Sequence, residues 1–227
     1  MKIAMIMLAA GNSRRFGANK LLYEIDGIPM YRHVLEQLDD TKKKIENIRK
    51  KHPYAEIVDL TSNSESKFIK FSPFYPVGNI PVPYSKGQEG MSVEGIWQGL
   101  KVFESQGADF SKFSITNMKG LKRSIRVNGP IVGHQKGMFS SEILDYITAR
   151  ETIFVTCYRW VLDNKLQELT KELCQLAGEK DIVFLDYNVN EDIQSLKKPL
   201  SHAALVKSYI EENVSIYVAP TQGTFDF

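Results

Sequence analysis

The sequence predicts an α+β protein: a predominantly helical main domain with short strands, preceded by a β-loop-α fragment of nucleotide-binding type. Three observations predict it. The opening run KIAMIMLAA is continuously apolar and closes at Gly11, the pattern of a strand buried on both faces that empties into a loop. Apolar residues at helical spacing dominate later, above all in MSVEGIWQGLKVFE at 91–104 and in the long block 140–178. Between and after these lie short strand-like runs, YAEIVDLTS and DIVFLDYN.

Composition narrows the classes. With 43% hydrophobic residues among 227, the chain can bury a proper core and is not disordered. Its 29 basic and 27 acidic side chains leave a net charge of +2, too small for a global field that recruits nucleic acid or an anionic membrane. Cys157 and Cys174 lack metal-ligand spacing and read as buried thiols of a reducing compartment, so the expected location is the cytoplasm and no metal is expected. The apolar opening is brief and runs into Arg14 and Arg15, which argues for a strand over a signal peptide. No apolar run approaches the roughly 20 residues that span a bilayer.

In chain order, the first strand leads into GNSRRFGANK. Its Gly, Asn and Ser residues allow tight turns with exposed N–H groups, and Arg14, Arg15 and Lys20 add positive charge, a combination suited to a pyrophosphate or triphosphate. TKKKIENIRKKHP is then a basic surface helix or linker with Ile45 and Ile48 as its apolar residues, broken at Pro53. YAEIVDLTS is a short strand. FIKFSPFYPVGNIPVPYSKGQEG is a Pro- and Gly-rich loop carrying Phe71, Phe74, Tyr75 and Tyr84, aromatics that either stack on a flat ligand or cap the core.

Ser92 is the expected N-cap of the helix 91–104, with Val93, Ile96, Trp97, Leu100 and Phe103 on its core face. Glu94, Gln98 and Lys101 follow the i, i+4, i+7 rhythm, placing a carboxylate, an amide and an amine along a second face. Gly95 and Gly99 each cost about 1 kcal/mol relative to Ala in a helix, so another backbone or a flat ligand is expected to approach there. A polar, Gly-punctuated segment follows in which Lys119, Lys122, Arg123 and Arg126 cluster as a candidate phosphate lip, with His134 as a structural or exposed histidine. In the block 140–178, Ser141 is the expected cap and Gly178 the expected C-cap. DIVFLDYN is a strand, Ser201 caps a last helix to Val214, and the tail beyond is loosely attached.

Two resemblances meet near residue 40. LAAGNSRRFGANKLLYEIDGIPMYRHVLEQL resembles the opening of MobA-like nucleotidyltransferases, which include the molybdopterin cytidylyltransferases. The resemblance implies that Leu8, Ala9, Ala10 and Gly11 hold base and ribose, and that Arg15 and Lys20 hold phosphates. It stops near Leu38, and the family's Mg²⁺-binding Asp followed by a Pro-containing turn has no counterpart in the middle third of the chain; FLDYN comes late and lacks the Pro.

Residues 42–214 resemble a bacterial and phage family of unknown function through FSPFYPVGNIPVP, SVEGIWQGLKVFE, NMKGLKR, TARETIFVTCYRWVLDNK and KPLSHAALV. More distantly, the order of these pieces is similar to the NADAR superfamily, which acts on N-glycosidic bonds of riboflavin precursors and removes ADP-ribose from guanine bases. That likeness implies Glu94, Lys101 and Lys119 as catalytic residues. It implies Phe74, Tyr75, Trp97, Gln98, Arg123, Trp160 and Asp163 as substrate contacts, although the superfamily's Arg-Trp-Asp run is missing.

The leading expectation is therefore a domain at 41–214 that binds a ribosylated nucleobase or ADP-ribose adduct and hydrolyses its N-glycosidic bond without a cofactor. Residues 1–40 form a separate MobA-like fragment and 215–227 a tail. Chemically, a carboxylate can steady the oxocarbenium-like sugar or activate water, and an amine can serve the leaving base. The second expectation is an incomplete Mg²⁺-dependent nucleotidyltransferase passing a CTP- or GTP-derived nucleotide to a molybdopterin-type or sugar-phosphate acceptor. The third is a non-enzymatic interaction protein, such as an antitoxin with a toxin as partner. In each reading nucleic acid enters only as a modified substrate, and no membrane is involved.

Overall fold

A computed structural model describes residues 3–7, 24–25, 28–29, 43 and 45–217. The framework is a three-stranded parallel sheet of β1 (Ile3–Met7), β10 (Ile182–Asp186) and β4 (Glu56–Asp59), with β10 in the centre. Register pairs Met7 with Asp186 and Leu185 with Asp59, so all three strands finish at one edge. The opening strand thus shares a sheet with the larger part of the chain. Two further short strands, β2 (Glu24–Ile25) and β3 (Ile28–Pro29), pair antiparallel.

All five residues of β10 are buried, as a centre strand covered on both faces requires. Alternation along it divides two cores. Val183 and Leu185 meet Ile48 and Ile45 of α1 (helical residues 45–51), so the basic helix uses its two isoleucines to cover one face of the sheet. Ile182 and Phe184 face the main core, together with Val206 and Ile210 of α7 (His202–Tyr217) and Leu173 of α6 (Gln167–Glu179).

The Pro-rich loop contains a 3-10 turn at Lys67–Phe71 and a hairpin of β5 (Ile80–Pro81) with β6 (Glu89–Gly90). It delivers the chain to α2 (Val93–Leu100), where Ser92 caps the first turn by accepting from the Gly95 N–H at 3.0 Å. A helix reaching Glu104 is not what forms. The chain turns extended at Lys101 and becomes β7 (Lys101–Phe103), because β8 (Ile131–Gln135) pairs with it and Arg123 donates to the Gln98 and Lys101 carbonyls that the helix end leaves open. Gly95 and Gly99 are approached by the 3-10 segment Phe110–Ser114. A Cβ on Gly95 would stand 2.7 Å from the Lys112 carbonyl oxygen, and one on Gly99 2.4 Å from the Phe113 ring.

α3 (Ile125–Asn128) precedes β8, whose other neighbour is β9 (Ile143–Leu144). Ser141 is therefore not a helix cap. Asp145 takes that role, its carboxylate accepting from the Ile147 and Thr148 N–H groups at the start of α4 (Tyr146–Ala149). The helix runs on through a π-helical stretch, Arg150–Val155, into α5 (Thr156–Asn164). Gly178 lies inside α6, which ends at Lys180, and α7 continues three residues past Val214. Among the described residues no helix is long and apolar enough to cross a membrane.

Candidate functional site

A cavity of about 540 Å³ opens beside the edge where the parallel strands end. Ligands of open parallel sheets favour this position, since the connections leaving the strand ends diverge there. Three parts of the chain wall it: α2 with the start of β7, the loop around Phe74, and the π-helical stretch facing Asp186, Tyr187 and Asn188.

The α2 wall is the polar one. The N–H of Glu94 donates to the Pro73 carbonyl at 2.8 Å, which ties the Pro-rich loop to the helix start and brings Phe74 to the cavity. Gln98 Nε2 donates to Glu94 Oε1 at 2.8 Å, while Gln98 Oε1 accepts from the Arg123 N–H at 3.1 Å, so the amide is fixed in one orientation. Burial pushes the Glu94 carboxyl up from the ordinary carboxylate range, against the Gln98 hydrogen bond and the Lys101 charge. The same burial pushes the Lys101 amine down, against the attraction of Glu94 and with the repulsion of Arg123 and Lys122. Two groups with opposite charges are thus both drawn toward neutrality in one cavity, an arrangement associated with acid–base and nucleophilic work.

Aromatic rings make the flat walls. Trp97 stacks on His134 with ring centroids 3.7 Å apart and meets Tyr146 and Phe154 edge-on at 5.9 and 5.7 Å. The Lys101 ammonium stands 5.8 Å from the Trp97 ring and that of Lys122 5.1 Å from the Phe74 ring. His134 is fully buried with neither ring nitrogen hydrogen-bonded, and burial next to Lys101 holds it down to about 3, so it is neutral.

Opposite, Arg150 is buried with its guanidinium 4.5 Å from the Tyr146 ring. It donates to the carbonyls of Ile193, Ser195 and Lys198, anchoring the loop between β10 and α7. At the sheet edge, Asp186 Oδ2 accepts from the Ser201 hydroxyl at 2.5 Å, Oδ1 accepts from the Tyr187 N–H at 2.6 Å, and His202 Nδ1 lies 3.3 Å from Oδ2. His202 Nε2 donates to the Leu60 carbonyl at 2.7 Å.

Of the residues singled out in the sequence, Phe74, Glu94, Trp97, Gln98 and Lys101 line this cavity. Tyr75 is not among its lining residues. Lys119 lies outside it in an exposed turn, its N–H on Asn117 Oδ1, so it is not placed to act with Glu94. Arg123 is a structural clamp: it holds the carbonyls of Gln98, Lys101 and Gly107. Trp160 packs on the core from the far side of α5 with the Lys165 ammonium 5.8 Å from its ring, and Asp163 accepts from the Tyr209 hydroxyl at 2.8 Å. Neither lines the cavity. Leu8, Ala9, Ala10, Gly11, Arg15 and Lys20 lie outside the described residues. Tyr146, Arg150, Phe154 and His202 are cavity residues that sequence reasoning did not select; the signal for Arg150 was a lone arginine between apolar neighbours in TARETIF.

Residues 40–206 match the model of a family of unknown function (DUF6939), and residues 5–68 match the MobA-like NTP transferase domain. The two matches overlap between 40 and 68. Three relatives are each named "Probable molybdenum cofactor guanylyltransferase". That of Aquifex aeolicus is 26% identical over 201 residues, covering 84% of this chain and 88% of the relative. That of Pyrococcus horikoshii is 49% identical over 39 residues, 17% of this chain and 20% of the relative. That of Thermococcus sibiricus is 42% identical over 62 residues, 27% of each. The chain thus spans a fifth and about a quarter of the length of two of these relatives.

These likenesses correct the expectation of an N-glycosidase or ADP-ribosyl hydrolase. They run to nucleotidyltransferases, and the NADAR resemblance on which that expectation stood finds no support in them. A MobA-like domain implies Mg²⁺. Among the described residues no three His, Cys, Asp or Glu side chains are grouped to hold a metal, and both Asp186 oxygens are occupied by the start of α7 and its own turn. The described residues do not make a magnesium site.

Proposed function

The chain belongs to the family of unknown function matched over residues 40–206 (DUF6939), and from that premise we propose that it binds a nucleoside triphosphate at the edge where its parallel strands end, for nucleotidyl transfer. One observation carries the reading. Met7, the last residue of β1, pairs with the cavity residue Asp186, so the segment LAAGNSRRFGANK is joined to the sheet at the rim of the cavity.

The residue chemistry supports it. Gly11, Asn12 and Ser13 followed by Arg14, Arg15 and Lys20 offer backbone N–H groups and charge to phosphates. Lys101 and Lys122 add cationic charge from the cavity side, and Phe74 and Trp97 offer ring faces on which a base stacks, worth about 1–3 kcal/mol per base. The names of the relatives favour a guanylyl donor and an acceptor of molybdenum-cofactor type.

Thermal unfolding with GTP, CTP, ATP or UTP tests the reading. A triphosphate held at about 100 times its Kd adds ~2.7 kcal/mol of stability, and a midpoint rise on the order of 5–10 °C follows for a chain of this size. Lys20→Ala and Lys101→Ala each reduce the rise. No shift with any triphosphate, with or without magnesium, overturns the reading.

A further inference from the structure

Lys101 is the least explained charged group in the molecule. It is 8% exposed, yet its ammonium has no hydrogen-bond or ion-pair partner among the described residues, and it lines the cavity. Its backbone is held firmly: the carbonyl accepts from Arg123 at 2.5 Å and the residue pairs with His134 in the adjoining strand. A long amine so rooted reaches one place only. Leaving it charged and unpaired there costs several kcal/mol in desolvation, so it is arranged either to meet an anion or to react as a free amine.

Resting on the nucleotide-binding reading, we propose that Lys101 is a nucleophile that accepts the nucleotidyl group from a nucleoside triphosphate, forming a lysyl phosphoramidate before transfer to an acceptor. Glu94, on the same wall, takes one proton from the ammonium and frees the lone pair. Nζ attacks the α-phosphorus; the N–P bond forms as the P–O bond to the β-phosphate breaks. Pyrophosphate leaves with that electron pair and the second amine proton, and a nucleoside monophosphate stays on Nζ. Lys122, beside the same cavity, neutralises charge on the phosphates while the bond changes occur. The opposed displacements of Glu94 and Lys101 from their ordinary titration ranges favour this proton transfer, since burial lowers the cost of the neutral pair relative to the charged one.

The two roles of Lys101 differ in one respect. An anion site needs the charge, whereas a nucleophile needs the lone pair, and arginine supplies only the first. Wild-type protein, incubated with each of the four ribonucleoside triphosphates labelled at the α-phosphate, is expected to gain the mass of one nucleoside monophosphate. Peptide mapping places it on Lys101, and the bond is cleaved by acid, stable to alkali and reversed by added pyrophosphate. Lys101→Arg still gives a thermal shift with the triphosphate but takes up no label. A shift without label in wild type, label on another residue, or full labelling of Lys101→Arg overturns the covalent step and leaves nucleotide binding standing. No shift and no label removes the nucleotide reading and this inference with it.

Discussion

The Ser201 hydroxyl donates to Asp186 Oδ2 at 2.5 Å, joining the last residue of the central strand to the residue that caps the last helix. Ser201 also accepts from the Ala204 N–H at 3.3 Å, so one side chain serves both the buried carboxylate and the helix end. Ser201→Ala leaves Asp186 short of a donor and α7 short of a cap, at a cost of about 1–3 kcal/mol. Urea unfolding of the two proteins checks it. An unchanged midpoint with an unchanged slope removes this coupling of strand to helix.

His134 ties stability to pH. Its folded value near 3 lies below the ordinary 6.5, so the unfolded chain binds a proton that the native state refuses. The contribution is fully present above pH 6.5 and is lost as pH falls from there toward 3, at up to ~1.4 kcal/mol per pH unit. His134→Phe removes a titrating group and two buried ring nitrogens without partners while keeping a ring against Trp97. The variant is expected to be at least as stable at neutral pH and to lose less stability than wild type as the medium is acidified below pH 6.5. Equal losses in the two proteins over that interval count against it.

Local patterns exposed the Ser92 cap and the shared face of Glu94 and Gln98, because capping and helical spacing are written within a few residues. They misplaced the end of that helix, since the donors that stop it come from Arg123, 22 positions beyond Lys101. Asp186 was visible as a strand end, but its place at the rim depends on a parallel pairing with Met7, far away in sequence and without local trace. Nothing local marks Arg150 either. Its partners are carbonyls of Ile193, Ser195 and Lys198, 43 to 48 positions later, which no periodicity announces.

Gly95 tests the close approach inside α2. Alanine raises intrinsic helix propensity by about 1 kcal/mol, but its Cβ would sit 2.7 Å from the Lys112 carbonyl oxygen and 2.9 Å from the capping Ser92 hydroxyl. Backbone cannot yield as a flexible side chain does. Gly95→Ala is expected to destabilise by about 1–3 kcal/mol, as overpacked sites do, seen as a lowered thermal midpoint. A stabilised variant shows that the segment Phe110–Ser114 does not press on the helix.

Arg150 holds one wall of the cavity in place. Its guanidinium spans the carbonyls of Ile193, Ser195 and Lys198 from within a π-helical turn, an irregularity often found at functional sites. Lysine keeps the charge but presents it as a point and cannot hold separated carbonyls with a planar fork. Arg150→Lys is therefore expected to cost on the order of 2–3 kcal/mol and to raise amide hydrogen exchange chiefly between residues 187 and 199. Because Tyr187, Asn188, Pro199 and Leu200 wall the cavity, loosening their loop weakens ligand binding even though the variant retains a charge. Exchange that rises evenly over the whole chain would mean that Arg150 supports the fold at large, with no special hold on this wall.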